Sequence, residues 1–221
     1  MKRYLFSLLL LNVLPMAVTA QRFSIDTTRL NRAYEDLSCV ERNAKIEIEF
    51  LESYPTTWLE FYMTYCCDDI MCDMCSEHIS ALFGLSHIND TVLCKKNVNL
   101  SIGMKHSGEC TGVFQDYLVG YILNNEELVF DYLSKLRKGH QMQFWQFCWS
   151  TVTECLREEH FKELYNRNKE KYPELMNVSR IAFDFFYDGI NYPTLLPHKE
   201  YEYRKIFHGI NSEFMFDGYE I

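Results

Sequence analysis

The sequence predicts an all-α protein: a disulfide-stapled bundle of about five to seven helices, with an irregular aromatic-rich segment at its C-terminus. Three observations predict it. Apolar residues recur at helical spacing over most of the chain between Asp26 and Tyr187, and no strand–helix–strand pattern interrupts them. Nine cysteines fall between Cys39 and Cys155 and none after it. The first twenty residues, finally, have the form of a secretory signal, so the cysteines are read first as disulfides.

That N-terminal stretch runs Lys2-Arg3, an apolar section from Tyr4 to Leu14, and small residues at Val18-Thr19-Ala20. A basic n-region, a short h-region and a small-residue cleavage site make up the signal pattern, and the apolar section is too short to span a bilayer. The expected organisation is a signal peptide at 1–20, a cysteine-rich helical domain at 21–189 stapled over 39–155, and the aromatic segment at 190–221. About 200 residues remain after cleavage, enough for a real hydrophobic core. The formal charge of −9 becomes −11 once Lys2 and Arg3 leave. An acidic surface lacks the phosphate-neutralising term of nucleic-acid binding, and Lys95-Lys96 is only a pair, so no nucleic-acid partner is expected. No later stretch is long and apolar enough for a transmembrane anchor, and Phe216–Ile221 offers no lipid-anchor tail; a released chain is expected.

The elements follow in order. Leu30, Tyr34, Leu37, Ala44, Ile48 and Leu51 space out a helix over 26–52, capped near Asp26–Thr28 and ended by Pro55. Thr57-Trp-Leu-Glu60 is a capping box that starts a second helix running to about Cys66. A third spans Met71–Phe83, with Gly84 as its C′ residue. Residues 85–108 contain Gly103, Gly108, Cys94 and two glycosylation sequons and read as a long glycosylated loop clipped by its cysteine, with room for a short helix. Helices over 111–123 and 126–137 follow. One long helix or two joined ones cover 140–171, and a last amphipathic helix covers 174–187, stopped by Asp188-Gly189. The tail from 190 has Pro193 and Pro197 and is too aromatic for ordinary disorder; packing over the helices is expected.

The disulfide candidates are Cys39, Cys66, Cys67, Cys72, Cys75, Cys94, Cys110, Cys148 and Cys155. An odd count leaves one thiol over, and a disulfide-linked homodimer through it is one expectation, a buried free thiol the other. On a continuous helix Cys148 and Cys155 lie about 10 Å apart, too far for a bridge, so each should reach another segment. Adjacent Cys66 and Cys67 should take different partners, one of them plausibly Cys39. Cys72-Asp-Met-Cys75 has redox-motif spacing, but no strand precedes it. Cys67, Cys72, Cys75 and His78 could supply zinc ligands; a structural disulfide role is favoured, and no metal and no cofactor are expected. N-glycosylation candidates are Asn89, Asn99 and Asn177, each followed by hydroxyl residues at the second position.

The order Cys72-x-x-Cys75, Cys94, Cys110-x₃-Phe114-x₂-Tyr117-Leu118, Cys148-x₆-Cys155 resembles that of saposin-like lipid-binding domains. The resemblance covers 72–155 only. The interval from 110 to 148 is longer than in that family, that from 75 to 94 shorter, and Cys39, Cys66 and Cys67 lie outside it. It implies nested 72–155 and 75–148 bridges and a lipid ligand. Cys66-Cys67-Asp-Asp-Ile-Met-Cys72 superficially resembles the cysteine region of secreted phospholipases A2. The His-Asp pair and calcium loop of that family are missing, so the activity does not carry over.

No Gly-x-Ser-x-Gly elbow, His-Glu-x-x-His or phosphate loop occurs. His78, His87, His106, His140, His160, His198 and His208 are scattered, each expected to be a solvated or packing residue. Asp68-Asp69, Glu126-Glu127 and Glu158-Glu159 read as solvated helix faces. No catalytic residue is singled out. The expected function is that of a secreted cysteine-rich glycoprotein with a non-catalytic extracellular binding, matrix or signalling role and a protein partner. The alternatives are a helical lipid binder and a secreted enzyme of unidentified class.

Overall fold

Asn43 sets the first departure from the expected helices. Its backbone is extended (φ −149°, ψ 166°) and its Oδ1 accepts from the N–H groups of Lys45 and Ile46, which starts a new helix there. The computed structural model describes residues 25–39, 41–67, 69–105, 108–150 and 154–191, with the backbone alone at 69–70, 154–156 and 185–191. The single helix expected over 26–52 is two, α1 (Thr27–Cys39) and α2 (Ala44–Ser53). Leu30, Ala33 and Leu37 of α1 are buried as the spacing requires. On α2 the inward face is Glu47, Phe50 and Leu51, and Ile48, expected in the core, is 46% exposed.

The capping box is present as read. In α3 (Trp58–Tyr65) the N–H of Glu60 donates to Thr57 Oγ1 at 3.2 Å. Glu60 Oε2 accepts from the N–H of Thr57 at 3.1 Å and of Thr56 at 2.7 Å. The third expected helix is split into a short α4 (Asp69–Asp73) and α5 (Cys75–Phe83). Gly84 ends α5, but with φ −93° rather than in the left-handed region. What it supplies is space: a Cβ there would come within 3.1 Å of the Ser80 carbonyl oxygen.

The expected loop at 85–108 holds a twelve-residue helix, α6 (Asp90–Ser101), which corrects that reading. Asn89 is its N-cap, accepting from the Thr91 N–H, and Gly103 follows its end at φ +78°, a conformation that favours glycine. Leu93, Val98 and Leu100 turn inward, and Lys96 Nζ donates to the carbonyls of Leu51 and Tyr54, at 3.1 and 2.7 Å, closing the end of α2.

Beyond it come α7 (Glu109–Asn124), α8 (Glu126–Leu133), α9 (Lys138–Trp149), α10 (Glu154–Asn168) and α11 (Pro173–Asn191). The expected count of five to seven helices is therefore exceeded: the described residues form eleven, and no strand. The all-α class holds. Helix α11 continues through Asp188-Gly189 to Asn191 instead of stopping there; a glycine inside a helix costs about 1 kcal/mol and does not by itself end one. The signal segment, His106, Ser107, His198, His208 and the aromatic tail from 192 lie outside the described residues.

One core joins these elements. Helix α9 packs along α11, α1 along α2, α5 along α7 and α6 along α8. Trp145 and Trp149 stack at 5.4 Å with planes 4° apart, and Phe161 of α10 stacks on Phe183 of α11 at 4.0 Å. Of Glu126-Glu127, Glu127 is solvated as expected and pairs with Lys171 at 2.6 Å, whereas Glu126 is largely covered by α10: Arg167 pairs with it and Asn168 Nδ2 donates to it at 2.7 Å.

The capping box gives a direct test. Thr57→Ala should lower stability by about 1 kcal/mol and Thr57→Ser by much less, since a hydroxyl at the N-cap is what accepts the orphan N–H. Urea unfolding of the two variants beside the parent chain measures the difference; equal losses would mean the hydroxyl contributes nothing.

Candidate functional site: a thiol cluster beside a buried phenol and imidazole

Four of the nine predicted cysteines are brought together where α3, α4, α5 and α7 meet. Cys66 is the C-cap residue of α3, Cys72 lies in α4, Cys75 opens α5 and Cys110 lies in the first turn of α7. Cys72 Sγ is 3.6 Å from Cys110 Sγ. Cys110 Sγ also lies 3.8 Å from the Tyr65 carbonyl oxygen and 4.0 Å from that of Cys72. Cys75 lies against Cys110 from the buried side. Cys72 is exposed, so the cluster opens to solvent at that end. No disulfide bond joins any of the described cysteines, and the stapling expected from the sequence is not itself seen.

Burial sets the chemistry of these thiols. It pushes Cys110 up to about 11 and Cys75 higher still; the neighbouring thiols add to the rise at Cys75, while at Cys110 Cys75 opposes it and Cys72 adds to it. A cysteine at the start of a helix would ordinarily be lowered by the helix dipole. At Cys75 desolvation outweighs that effect, and the C-x-x-C carries a protonated, poorly nucleophilic inner thiol at neutral pH.

Next to the thiols, the Tyr65 hydroxyl and His78 Nδ1 are 3.0 Å apart, both buried. Tyr34 meets the His78 ring edge-on at 4.6 Å. Burial lowers the imidazole to about 4, so it is neutral, and it shares one hydrogen bond with the Tyr65 hydroxyl through Nδ1. Nε2 is buried and has no hydrogen-bond partner among the described residues. His78 is packed inside the core, whereas Cys67, one of the cysteines considered with it as a zinc ligand, is exposed. Among the described residues no three His, Cys, Asp or Glu side chains have metal-holding geometry.

The other cysteines stand apart. Cys39 and Cys67 are exposed, Cys94 is buried with its Sγ 3.8 Å from the Leu128 carbonyl oxygen, and Cys148 is buried in α9. Burial raises both Cys94, to about 11, and Cys148. Of the two expectations for 140–171, two helices are found, so Cys148 and Cys155 do not share one: α9 ends at Trp149 and α10 begins at Glu154. The Cys155 side chain is outside the described atoms.

Sequence reading missed one polar pair. Glu47, fully buried, accepts from the N–H groups of Ser86 and His87 at 2.9 and 2.7 Å. Its other oxygen lies 2.9 Å from His87 Nδ1. Burial alone would raise this carboxyl; the hydrogen bonds from His87 and Ser86 outweigh it and hold the group below the usual range. The pair spans forty residues with no local signal in either segment. Ser86 Oγ donates to Glu47 Oε1 at 3.3 Å and sits 3.4 Å from the same Nδ1, so the hydroxyl is tied to the buried carboxylate. The arrangement caps the turn before α6.

The three sequon asparagines are all exposed. In each, Oδ1 is engaged: by the Thr91 N–H at Asn89, by the Tyr132 hydroxyl at Asn99 and by Arg180 at Asn177. No described hydrogen bond uses their Nδ2, the atom that carries a glycan. No helix among the described residues is long and apolar enough to cross a membrane. The fold defines the class, an all-α, cysteine-rich protein. No known protein family, curated protein or solved structure matches the chain.

His78 yields a pH prediction. Its imidazole sits near 6.5 in the unfolded chain and about 4 in the fold. The unfolded state therefore binds the proton first, and stability present above pH 6.5 is lost as pH falls toward 4, by about 3 kcal/mol in all. Denaturant titrations at pH 7 and pH 4.5 should show most of that loss, and His78→Gln should flatten the slope between them. An unchanged slope in the variant would place the acid sensitivity elsewhere.

Proposed function

We propose that the protein is a secreted, disulfide-stapled glycoprotein with a non-catalytic extracellular role in binding, matrix or signalling, and that its partner is a protein. The observation that carries this reading is the state of the sequons. Asn89, Asn99 and Asn177 all face solvent with Nδ2 unengaged, in a chain whose first twenty residues have the signal pattern. An acidic surface and buried thiols with raised pKa values support a binding rather than a catalytic role. A disulfide-linked homodimer, if one forms, is reached most directly through Cys39 or Cys67, the exposed thiols away from the cluster contact. Leu59 and Met63, one turn apart on α3 and 41% and 48% exposed, offer a small apolar contact face for the partner.

The test is expression of the full chain in a cell with a secretory pathway. The protein should accumulate in the medium with Gln21 at its N-terminus. Treatment with peptide N-glycosidase should lower its mass, and the shift should shrink stepwise in Asn89→Gln, Asn99→Gln and Asn177→Gln. Retention in the cell with Met1 intact and no mass shift would overturn the reading. Lipid extracted from the same secreted material in fixed ratio to protein would move it to the lipid-binding alternative.

A further inference from the structure

We propose that Cys72 and Cys110 close a disulfide that ties α4 to α7, with Cys75 kept behind it as a buried thiol. The inference rests on the oxidising-compartment reading above for where the bond forms, but on geometry for which bond it is. Thirty-eight residues separate the two cysteines in sequence, yet their sulfurs stand 3.6 Å apart, in van der Waals contact. A disulfide needs about 2.05 Å, so the sulfurs must close by about 1.5 Å, within the reach of side-chain rotation. Neither helix has to move far, because Cys110 is already held between the backbone carbonyls of Tyr65 and Cys72.

Access selects the pair. Cys72 is exposed and Cys75 is buried, although both approach Cys110. An oxidant arriving from solvent meets Cys72 first. The step is thiol–disulfide exchange: the Cys72 thiolate attacks a small disulfide such as oxidised glutathione, forming a mixed disulfide and releasing one thiol. Cys110, after losing its proton, attacks the Cys72 sulfur of that mixed disulfide and expels the second glutathione thiolate, which takes up a proton. Two protein thiols have then lost two electrons and two protons, and one glutathione disulfide has become two thiols. Cys75 and Cys110 are both buried and both raised by burial, so position decides between them: Cys110 is the thiol in contact with the exposed Cys72 sulfur. The 72–110 bridge is therefore the one that persists. It excludes the 72–155 bridge that the saposin-like cysteine order implies, because Cys72 is already used.

The experiment is a cysteine map of the full chain, made in two ways. Protein secreted from cells, and protein made in a reducing cytosol and then exposed to a glutathione redox buffer, are each alkylated without reduction, digested and analysed by mass spectrometry. The expected result in both is a linked pair of peptides holding Cys72 and Cys110, with Cys75 alkylated only after unfolding. Cys75→Ser should keep the link, and Cys110→Ser should leave Cys72 open to alkylation. A chain that fails to be secreted yet forms 72–110 in the redox buffer would sink the compartment reading and leave the pairing intact. Secreted protein in which Cys72 is alkylated in the folded state, or is linked to any other cysteine, would overturn the pairing. So would one tightly bound zinc per chain whose chelation first exposes Cys72 and Cys110.

Discussion

Trp149 fastens three helices at one point, and the C-terminal half of the bundle is built around it. Its indole stacks on Trp145 within α9, meets Phe161 of α10 edge-on at 5.6 Å and Phe183 of α11 at 6.2 Å, and donates from Nε1 to Ser179 of α11 at 3.1 Å. Its carbonyl, at the end of α9, accepts from Arg157 of α10 at 3.1 Å. A buried aromatic of this size contributes apolar area and ring-edge contacts together, and its single polar atom is satisfied. The helix break after Trp149 is therefore productive. Beyond it, Phe161 of α10 stacks on Phe183 of α11 at 4.0 Å.

The N-terminal half is organised differently, around polar atoms buried with partners chosen from distant segments. Glu47 closes the turn at Ser86-His87, Lys96 closes the end of α2, and Tyr65 binds His78 inside the core. Each is costly if left alone and modestly favourable when paired. Such contacts tie α2, α3, α5 and α6 into one arrangement, and they place the Cys66–Cys75 segment against the start of α7. The thiol cluster is a consequence of that packing: once α5 lies along α7, Cys72 and Cys110 are neighbours.

What was legible in the sequence follows from the range of each interaction. The Thr57–Glu60 box and the all-helical class are local properties, readable from three- and four-residue spacings, and they hold. The split at Asn43 was missed because the apolar spacing continued across it from Leu37 to Ala44, while the deciding hydrogen bonds come from one side chain. Helix α6 was read as a loop because asparagines, lysines and a following glycine mask its apolar face; that face is completed only by α3, α8 and α9. The burial of Glu47 and the contact of Cys72 with Cys110 have no sequence signal at all, since each joins residues about forty apart. The cysteine list was legible and the geometry among its members was not.

The sequons carry a further constraint on the order of events. All three lie on helices: Asn89 caps α6, Asn99 is in its last turn and Asn177 is in α11. The acceptor is the whole tripeptide, hydroxyl included. Ser101, which completes the Asn99 sequon, is fully buried and donates to the Val98 carbonyl; Ser179, which completes the Asn177 sequon, is buried under Trp149. A transferase cannot reach either hydroxyl in the folded protein. Any glycan at Asn99 or Asn177 would therefore have to be attached before α6 closes and before Trp149 docks on α11, whereas Thr91 at the Asn89 site stays exposed after folding. Occupancy at those two sites would be set by how fast the chain folds relative to transfer, and the Trp149–Ser179 contact that fastens the C-terminal helices would also end the opportunity at Asn177.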